Sequence, residues 1–537
     1  MSMFSIDQNC HSLWDTIPKL QAIVAAGLSA VHCIEDIDVA FTAMGARPDD
    51  AHMELARERF HRSGGQDWGA AMFYSEFLGK LPVEVRDYEP ATGMKTATLA
   101  KKTDRSVDAL YDEFSPGDNW QLIGSSYIHD EDHHRVIGDL SVGESAPFLR
   151  ELLDKARKDL LNRFPGPDAR SRIDQWFQAE TARIYQLIDR CQGGRLVDLY
   201  DQWMRLYLGD SVTIRLTSDM FSTASARVDR PLLDLFCRDY ATASKLYNQA
   251  IEETGVGLRP LKRSAGELPF FAAHKYHGHL VRTAMHLQDG ALRVGCHSVH
   301  VYPEVERTVH ALAELGVLAV AGKALLLVSQ VRLGKSGRPL ALPHMGSLYM
   351  PAAHRLAKLL EAGDLLPGPL APIVRVRLHL LDRMRGIDTE INLPDHLAEA
   401  MNSPVVTADE LGNNWRDIQD RAQKRLEDLK DDDKRKAWQE QNLPELTGQA
   451  EQLEARRIEI VKDNPKDPRA RRLWAEQKQL QTRILDQTLR QIARDTQTAQ
   501  MEYWDSRGAI LPWCIALQGP ELYDRVIREA RLSEETA

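Results

Sequence analysis

Residues 407–430 read TADELGNNWRDIQDRAQKRLEDLK, and the chain is organised around this stretch. Thr407 followed by Glu410 forms a capping box, in which hydroxyl and carboxylate each satisfy an unpaired backbone N–H at a helix start. Leu411, Trp415, Ile418, Ala422, Leu426 and Leu429 then recur at spacings of three and four, which places them on one narrow apolar stripe. Asn442, Leu443 and Pro444 interrupt the helix, because proline lacks an N–H and restricts the residue before it. Leu446, Ala450, Leu453 and Val461 resume the stripe, and the run from Lys462 to Pro468 reads as a turn. Beyond it Leu473, Leu480, Ile484, Leu489, Ile492, Ala499 and Tyr503 predict a return helix that stops near Gly508. Such helices reach on the order of 55–60 Å. The expectation is an antiparallel helical coiled-coil arm over 407–507, projecting from an α/β body over 1–400. The apolar segment 508–537 packs back on that body.

A chain of 537 residues has ample length for one large core beside the arm. A formal charge of -10 and a pI near 6.0 argue against nucleic acid as a partner, since phosphate contacts need surplus Lys and Arg. Six cysteines without a C-x-x-C pair fit reduced thiols rather than a disulfide framework or zinc knuckle. The N-terminus shows no signal-peptide pattern, and the most apolar run, 316–331, is too short to cross a bilayer. The reading is a cytoplasmic protein with no membrane partner.

Ser29–Ile34 is a short apolar segment that reads as a buried strand, and Val212, Ile214 and Leu216 alternate as a second. Ser63, Gly64, Gly65 and Gln66 open a small-residue loop whose backbone N–H groups could approach a ligand, or which is simply a tight turn. Trp120 to Ile128 reads as a strand leading into His129, Asp130, Glu131, Asp132, His133 and His134, the densest polar cluster in the chain. Open α/β sheets hold ligands at the carboxyl ends of their strands. The cluster is therefore the first candidate site, with a substrate or nucleotide pocket, a metal centre and a solvated loop as its three readings.

Asp289 and Gly290, between two alternating segments within 266–302, predict a β-hairpin. It carries six histidines, His274, His277, His279, His286, His297 and His300, which strand alternation distributes over both faces, so no metal site is predicted there. Gly334, Lys335 and Ser336 lack the upstream glycine of a phosphate loop, because that position is Ser329. Gly346, Ser347 and Tyr349 lie in a loop that opens a helix, and Val374 to Leu381 reads as a last strand.

In order and local pattern, across nearly the whole chain, these features resemble the bacillithiol-biosynthesis cysteine-adding enzyme family. Gly64, Gly65 and Gln66 match the start of that family's Gly-Gly-Gln-Gln loop, and Glu131, Asp132 and His133 match its strand-end Glu-Asp-His-Asp motif. Gly346 and Tyr349 look like part of its Gly-Pro-Gly-Glu loop, and Arg375 with Leu381, Asp382 and Arg383 resembles the segment entering its coiled coil. The chain departs from the pattern at Asp67, His134, Ser347 and Lys323. The resemblance implies a Rossmann-like core and a carbon–nitrogen ligase joining an amino acid, such as cysteine, to an amine-bearing sugar conjugate. It further implies Glu131, Asp132 and His133 as catalytic residues, and Gly64, Gly65, Gln66, His134, Gly346, Ser347, Tyr349 and Arg375 as binding residues. ATP or ADP is the nucleotide it suggests, with no metal, and it suggests a homodimer formed through the arm. The altered motif residues leave a second reading open, a catalytically silent relative that acts as a dimeric scaffold.

Overall fold

The computed structural model describes residues 2–7, 14–38, 73–79, 85–107, 109–110, 120–122, 133–225, 230–256, 258–334, 337–345 and 349–535. Its strands are β1 (Ser2–Asp7), β2 (Ser29–Ile34), β3 (Phe73–Ser75), β4 (Trp120–Leu122), β5 (His133–Arg135), β6 (Val212–Leu216), β7 (Glu267–Tyr276) and β8 (His279–Gln288). They continue with β9 (Ala291–Val294), β10 (His297–His300), β11 (Val317–Gly322), β12 (Leu340–Pro343), β13 (Ile373–Arg377), β14 (Glu390–Asn392), β15 (Val405–Thr407) and β16 (Arg531–Glu535).

The architecture is α/β. One six-stranded sheet runs β16-β13-β12-β1-β2-β6, with every pairing parallel except that of β16 on β13. Parallel strands need crossovers, and the helices Thr16–Ala25 (β1 to β2) and Met350–Ala362 (β12 to β13) supply two of them. Alternate strand residues enter two different cores. Met3, Ala341, Val374 and Val376 join the helices of 142–208 and the C-terminal helices. Leu340, Leu342 and Ile373, with Phe4 and Ile6 against them, face the helix Met350–Ala362 and the second sheet. A parallel sheet covered on both faces needs such near-continuous apolar strands.

Inserted between β6 and β12 is an antiparallel sheet, β10-β9-β8-β7-β11, with β5 added along β8. The Asp289–Gly290 hairpin forms with both residues at positive φ, as a two-residue turn between twisted strands requires. A second such turn, His277 and Gly278, also at positive φ, joins β7 to β8. Of the segment read as a strand from Trp120 to Ile128, Trp120–Leu122 form β4, which pairs antiparallel with β3 rather than with the parallel sheet, and 123–128 lie outside the described residues.

After β13 the chain turns into helices. Thr407 caps the helix Ala408–Lys430, accepting from the Glu410 N–H while the Glu410 carboxylate accepts from the Thr407 N–H. Asp431 ends that helix and caps the next, Asp432–Asn442, through the N–H groups of Asp433 and Lys434. This break was not predicted from the apolar stripe. Pro444–Asp463 and Pro468–Thr498 then pack against each other as a hairpin. The return helix has 31 residues, about 46 Å, and stops before Ala499 instead of running to Gly508. A short helix, Met501–Trp504, follows. Helices Ile510–Leu517 and Pro520–Arg528 pack on Pro167–Arg190 and Thr16–Ala25, and β16 closes the sheet edge. No helix among the described residues is long and apolar enough to cross a membrane.

Candidate functional site

The carboxyl edge of the parallel sheet gathers the ends of β1, β2, β6, β12 and β13, and two polar assemblies stand there. The first is built on β2. Its strand residues Ala30, Cys33 and Ile34 are buried, and the chain emerges as Glu35, Asp36, Ile37 and Asp38. Asp36 is 1% exposed and accepts twice from Ser218 at the end of β6, from its N–H at 2.9 Å and its hydroxyl at 2.6 Å. Burial pushes its carboxyl up, against the lowering effect of the Ser218 bonds. Asp38 pairs with Arg282 of β8, which ties the parallel sheet to the antiparallel one. Gly138 lies so close to this segment that a Cβ there would meet the Asp36 carbonyl oxygen at 3.0 Å.

The second assembly spans β12 and β13 and is completed by the chain leaving the return helix. His344, directly after β12, has its Nε2 3.0 Å from Oε1 of Glu502. The same carboxylate oxygen takes Arg377 of β13 at 2.9 Å. Arg377 Nε in turn donates to Asp505 at 3.1 Å, and the other Asp505 oxygen accepts the Leu381 N–H at 2.9 Å. Asp505 is fully buried, and burial raises its pKa while Arg377 opposes the rise. The Glu502 N–H donates to Gln419 of the helix Ala408–Lys430 at 2.8 Å. Arg507 and the Gly508 N–H both reach Asp15, ahead of the helix that follows β1, at 3.1 and 2.8 Å. The segment 502–508 thus contacts residues that follow β1, β12 and β13.

His379 sits in the same network in a left-handed backbone conformation, φ +60°, which is uncommon outside glycine. Its Nδ1 lies 3.4 Å from Asp382 and 3.8 Å from Asp505. Its Nε2 is buried without a hydrogen-bond partner among the described residues. Burial and then the Arg377 charge hold its pKa down to about 4, so the ring is neutral. Asp382 accepts from the Trp415 indole at 3.1 Å and takes both Arg416 nitrogens. Burial works to raise its pKa, yet these donors bring it to about 2. His379, Asp382 and Asp505 lie close enough to share a cation. Asp382 already holds Arg416 and Asp505 holds Arg377, however, and two more positive charges, Arg385 and Arg531, act on the group, so the donor set fits an ion-pair network better than a metal.

The residues expected from the sequence fall in different places. Gly64, Gly65, Gln66, Glu131, Asp132, Gly346 and Ser347 lie outside the described residues. His133 and His134 belong to β5 on the antiparallel sheet, which corrects the expectation of a parallel strand end. His133 is buried and stacks on Tyr276, ring centroids 4.0 Å apart, beside His274 at 5.7 Å. The register puts His133, His274 and His297 on one face, and burial lowers the pKa of His274, whose Nε2 meets the Thr283 hydroxyl at 2.8 Å. Arg375 spends its donors on Glu535 and on the Pro343 carbonyl, joining β16 and β12 to β13. Tyr349 stands just before the helix Met350–Ala362. Lys323 pairs with Glu267 at 3.0 Å.

Reading the sequence missed Glu35, Asp36 and Asp38, although the signal was present in an apolar strand followed at once by carboxylates. It also missed His344, Glu502 and Asp505, whose partners lie far away along the chain. No protein-family model matches this chain, and no curated protein does.

Proposed function

We propose that the protein is a carbon–nitrogen ligase-like enzyme with a Rossmann-like core, which joins an amino acid such as cysteine to an amine-bearing sugar conjugate at the expense of a nucleoside triphosphate. The observation that carries this reading is the strand order. Taken along the chain, the parallel strands stand in space as third, second, first, fourth, fifth, the arrangement of doubly wound nucleotide-binding folds. The crevice of such folds opens where the order reverses, here between β1 and β12, and ligands bind at the carboxyl ends beside it. Among the described residues, His344, Arg377, Glu502 and Arg507 bring polar side chains to that end.

The β2 terminus adds support. Glu35, Asp36, Ile37 and Asp38 hold three of the four residues of the family's Glu-Asp-His-Asp motif, including the last aspartate that His134 replaces in the alternative placement. In this reading the helical hairpin is the coiled-coil arm. The test is to incubate the protein with ATP, cysteine and an aminosugar malate and to follow amide formation by mass spectrometry. The reading expects an amide product with stoichiometric phosphate or pyrophosphate. Absence of product, with no ligand raising the melting temperature, would sink it.

A scaffold role through the hairpin is the second reading. Ile458 and Trp474, 43% and 51% exposed, favour it, since they offer apolar surface on the hairpin helices. Sedimentation of wild type and of Ile458→Lys/Trp474→Lys decides between a hairpin-mediated dimer and a monomer.

A further inference from the structure

We infer that His344 is the proton acceptor of the ligation site and that Glu502, delivered by the end of the helical hairpin, is its positioning residue. The inference rests on the ligase reading above. An ionised carboxylate only accepts hydrogen bonds, so the contact between Glu502 Oε1 and His344 Nε2 places the ring proton on Nε2. Glu502 is ionised, because the bond from His344, followed by the charge of Arg377, lowers its pKa against the effect of burial. In the neutral ring the lone pair of His344 is then on Nδ1, which has no partner among the described residues. The ring is about a quarter exposed, and it stands at the carboxyl end of β12, the strand that borders the crevice.

Glu502 is itself fixed from two sides. Its N–H is held by Gln419 of the outgoing helix, and its carboxylate also takes Arg377 of the neighbouring strand. A histidine oriented by a carboxylate, with the distal nitrogen unprotonated and open, is the arrangement a general base requires. The two residues are 158 positions apart, so only the hairpin's return to the sheet brings them together.

In the step assigned to it, the substrate amine attacks the carbonyl carbon of an acyl phosphate or acyl adenylate that the nucleoside triphosphate has formed from the amino acid. The N–C bond forms, the C–O bond to phosphorus breaks, and the phosphate or AMP leaves with the electron pair. His344 Nδ1 takes the proton lost by the attacking nitrogen. The imidazolium is stabilised by Glu502, and the proton passes to the leaving group or to water.

Two measurements on the full-length protein test this. Nitrogen NMR of histidine-labelled protein, with the His344 signals assigned by their loss in His344→Gln, reads the tautomer directly. The Nε2–H form is expected in wild type and in Glu502→Gln, whose amide oxygen still accepts, and loss of that preference is expected in Glu502→Ala. In the ligation assay His344→Ala is expected to lower kcat by about 10²- to 10⁴-fold with KM little changed, and added imidazole to restore part of the rate. An Nδ1–H tautomer in wild type, an unaltered tautomer in Glu502→Ala, or a fully active His344→Ala overturns the assignment. A wild-type protein that makes no amide overturns the ligase reading and the proton transfer with it, while the tautomer still decides whether the oriented pair exists.

Discussion

The helix Ala408–Lys430 begins against the body of the protein and buries Leu411, Trp415, Ile418 and Ala422. Between 444 and 483, by contrast, only Ala450, Ala470 and Gln477 are buried. The two regions share a charge-rich composition, and an ion pair at the base, where the returning chain meets the sheet, resembles one at the tip. Asp505 with Arg377 and Asp467 with Arg469 have separations of 3.1 and 2.8 Å. Their surroundings differ. The Asp505 side chain is fully buried and the Arg469 side chain is 72% exposed. In water a pair of charges is worth ~0–1 kcal/mol, whereas removing one partner of a buried pair strands the other and costs several times more. Composition alone does not tell the two ends of this hairpin apart, whereas burial and geometry do.

The largest effect is expected from Asp505→Ala, which leaves the buried Leu381 N–H without its acceptor and Arg377 with Glu502 alone. Chemical denaturation should show a loss of about 3–5 kcal/mol. A loss below 1 kcal/mol would place this end of the hairpin in the same class as the distal part. Gly412→Ala comes next. A Cβ there would lie 2.9 Å from the Arg385 backbone nitrogen and 3.0 Å from the Leu381 carbonyl oxygen, so the helix must shift away from the segment it seats on. Overpacking of this kind costs about 1–3 kcal/mol, read from the same denaturation curves.

His379 gives a pH test of the same region. Its pKa in the fold, about 4, is below the ordinary 6.5. A depressed folded value means that its contribution is fully present above pH 6.5 and is lost as pH falls towards 4. His379→Asn, which tolerates the left-handed backbone, should flatten stability across that window, and a curve unchanged from wild type would contradict the neutral buried ring. The smallest effect belongs to the distal pair. Arg469→Ala and Trp474→Ala should each leave the denaturation curve indistinguishable from that of wild type. A measurable loss from either would show that the tip is packed against a second chain.

Much of the scaffold was legible from local pattern. Ser29–Ile34 is a short, mostly apolar segment, the Asp289–Gly290 turn carries its own backbone preference, and the Thr407–Glu410 cap is written in two residues. β1 was not, because Ser2–Asp7 mixes polar residues into six positions and gains its meaning only from β2 and β12 on either side. β7 was not, because eight of its ten residues are buried in succession and leave no period to read. The site was the least legible part. Its groups come from β12, from β13 and from 502–508, and no spacing rule links His344 to Glu502 or Arg377 to Asp505. Dense polarity in sequence drew attention to 129–134, whereas the carboxyl edge draws its polar groups from distant segments.

Hydrogen exchange read by mass spectrometry, with and without ATP and cysteine, tests the central claim most directly, because it compares both ends of the hairpin and both sheets in one experiment. The site proposed here predicts protection of 343–345, 377–381 and 501–508 on ligand binding, with exchange in 444–483 unchanged. Protection confined to 444–483 or to the β7–β10 hairpins, or none at saturating ligand, would contradict it.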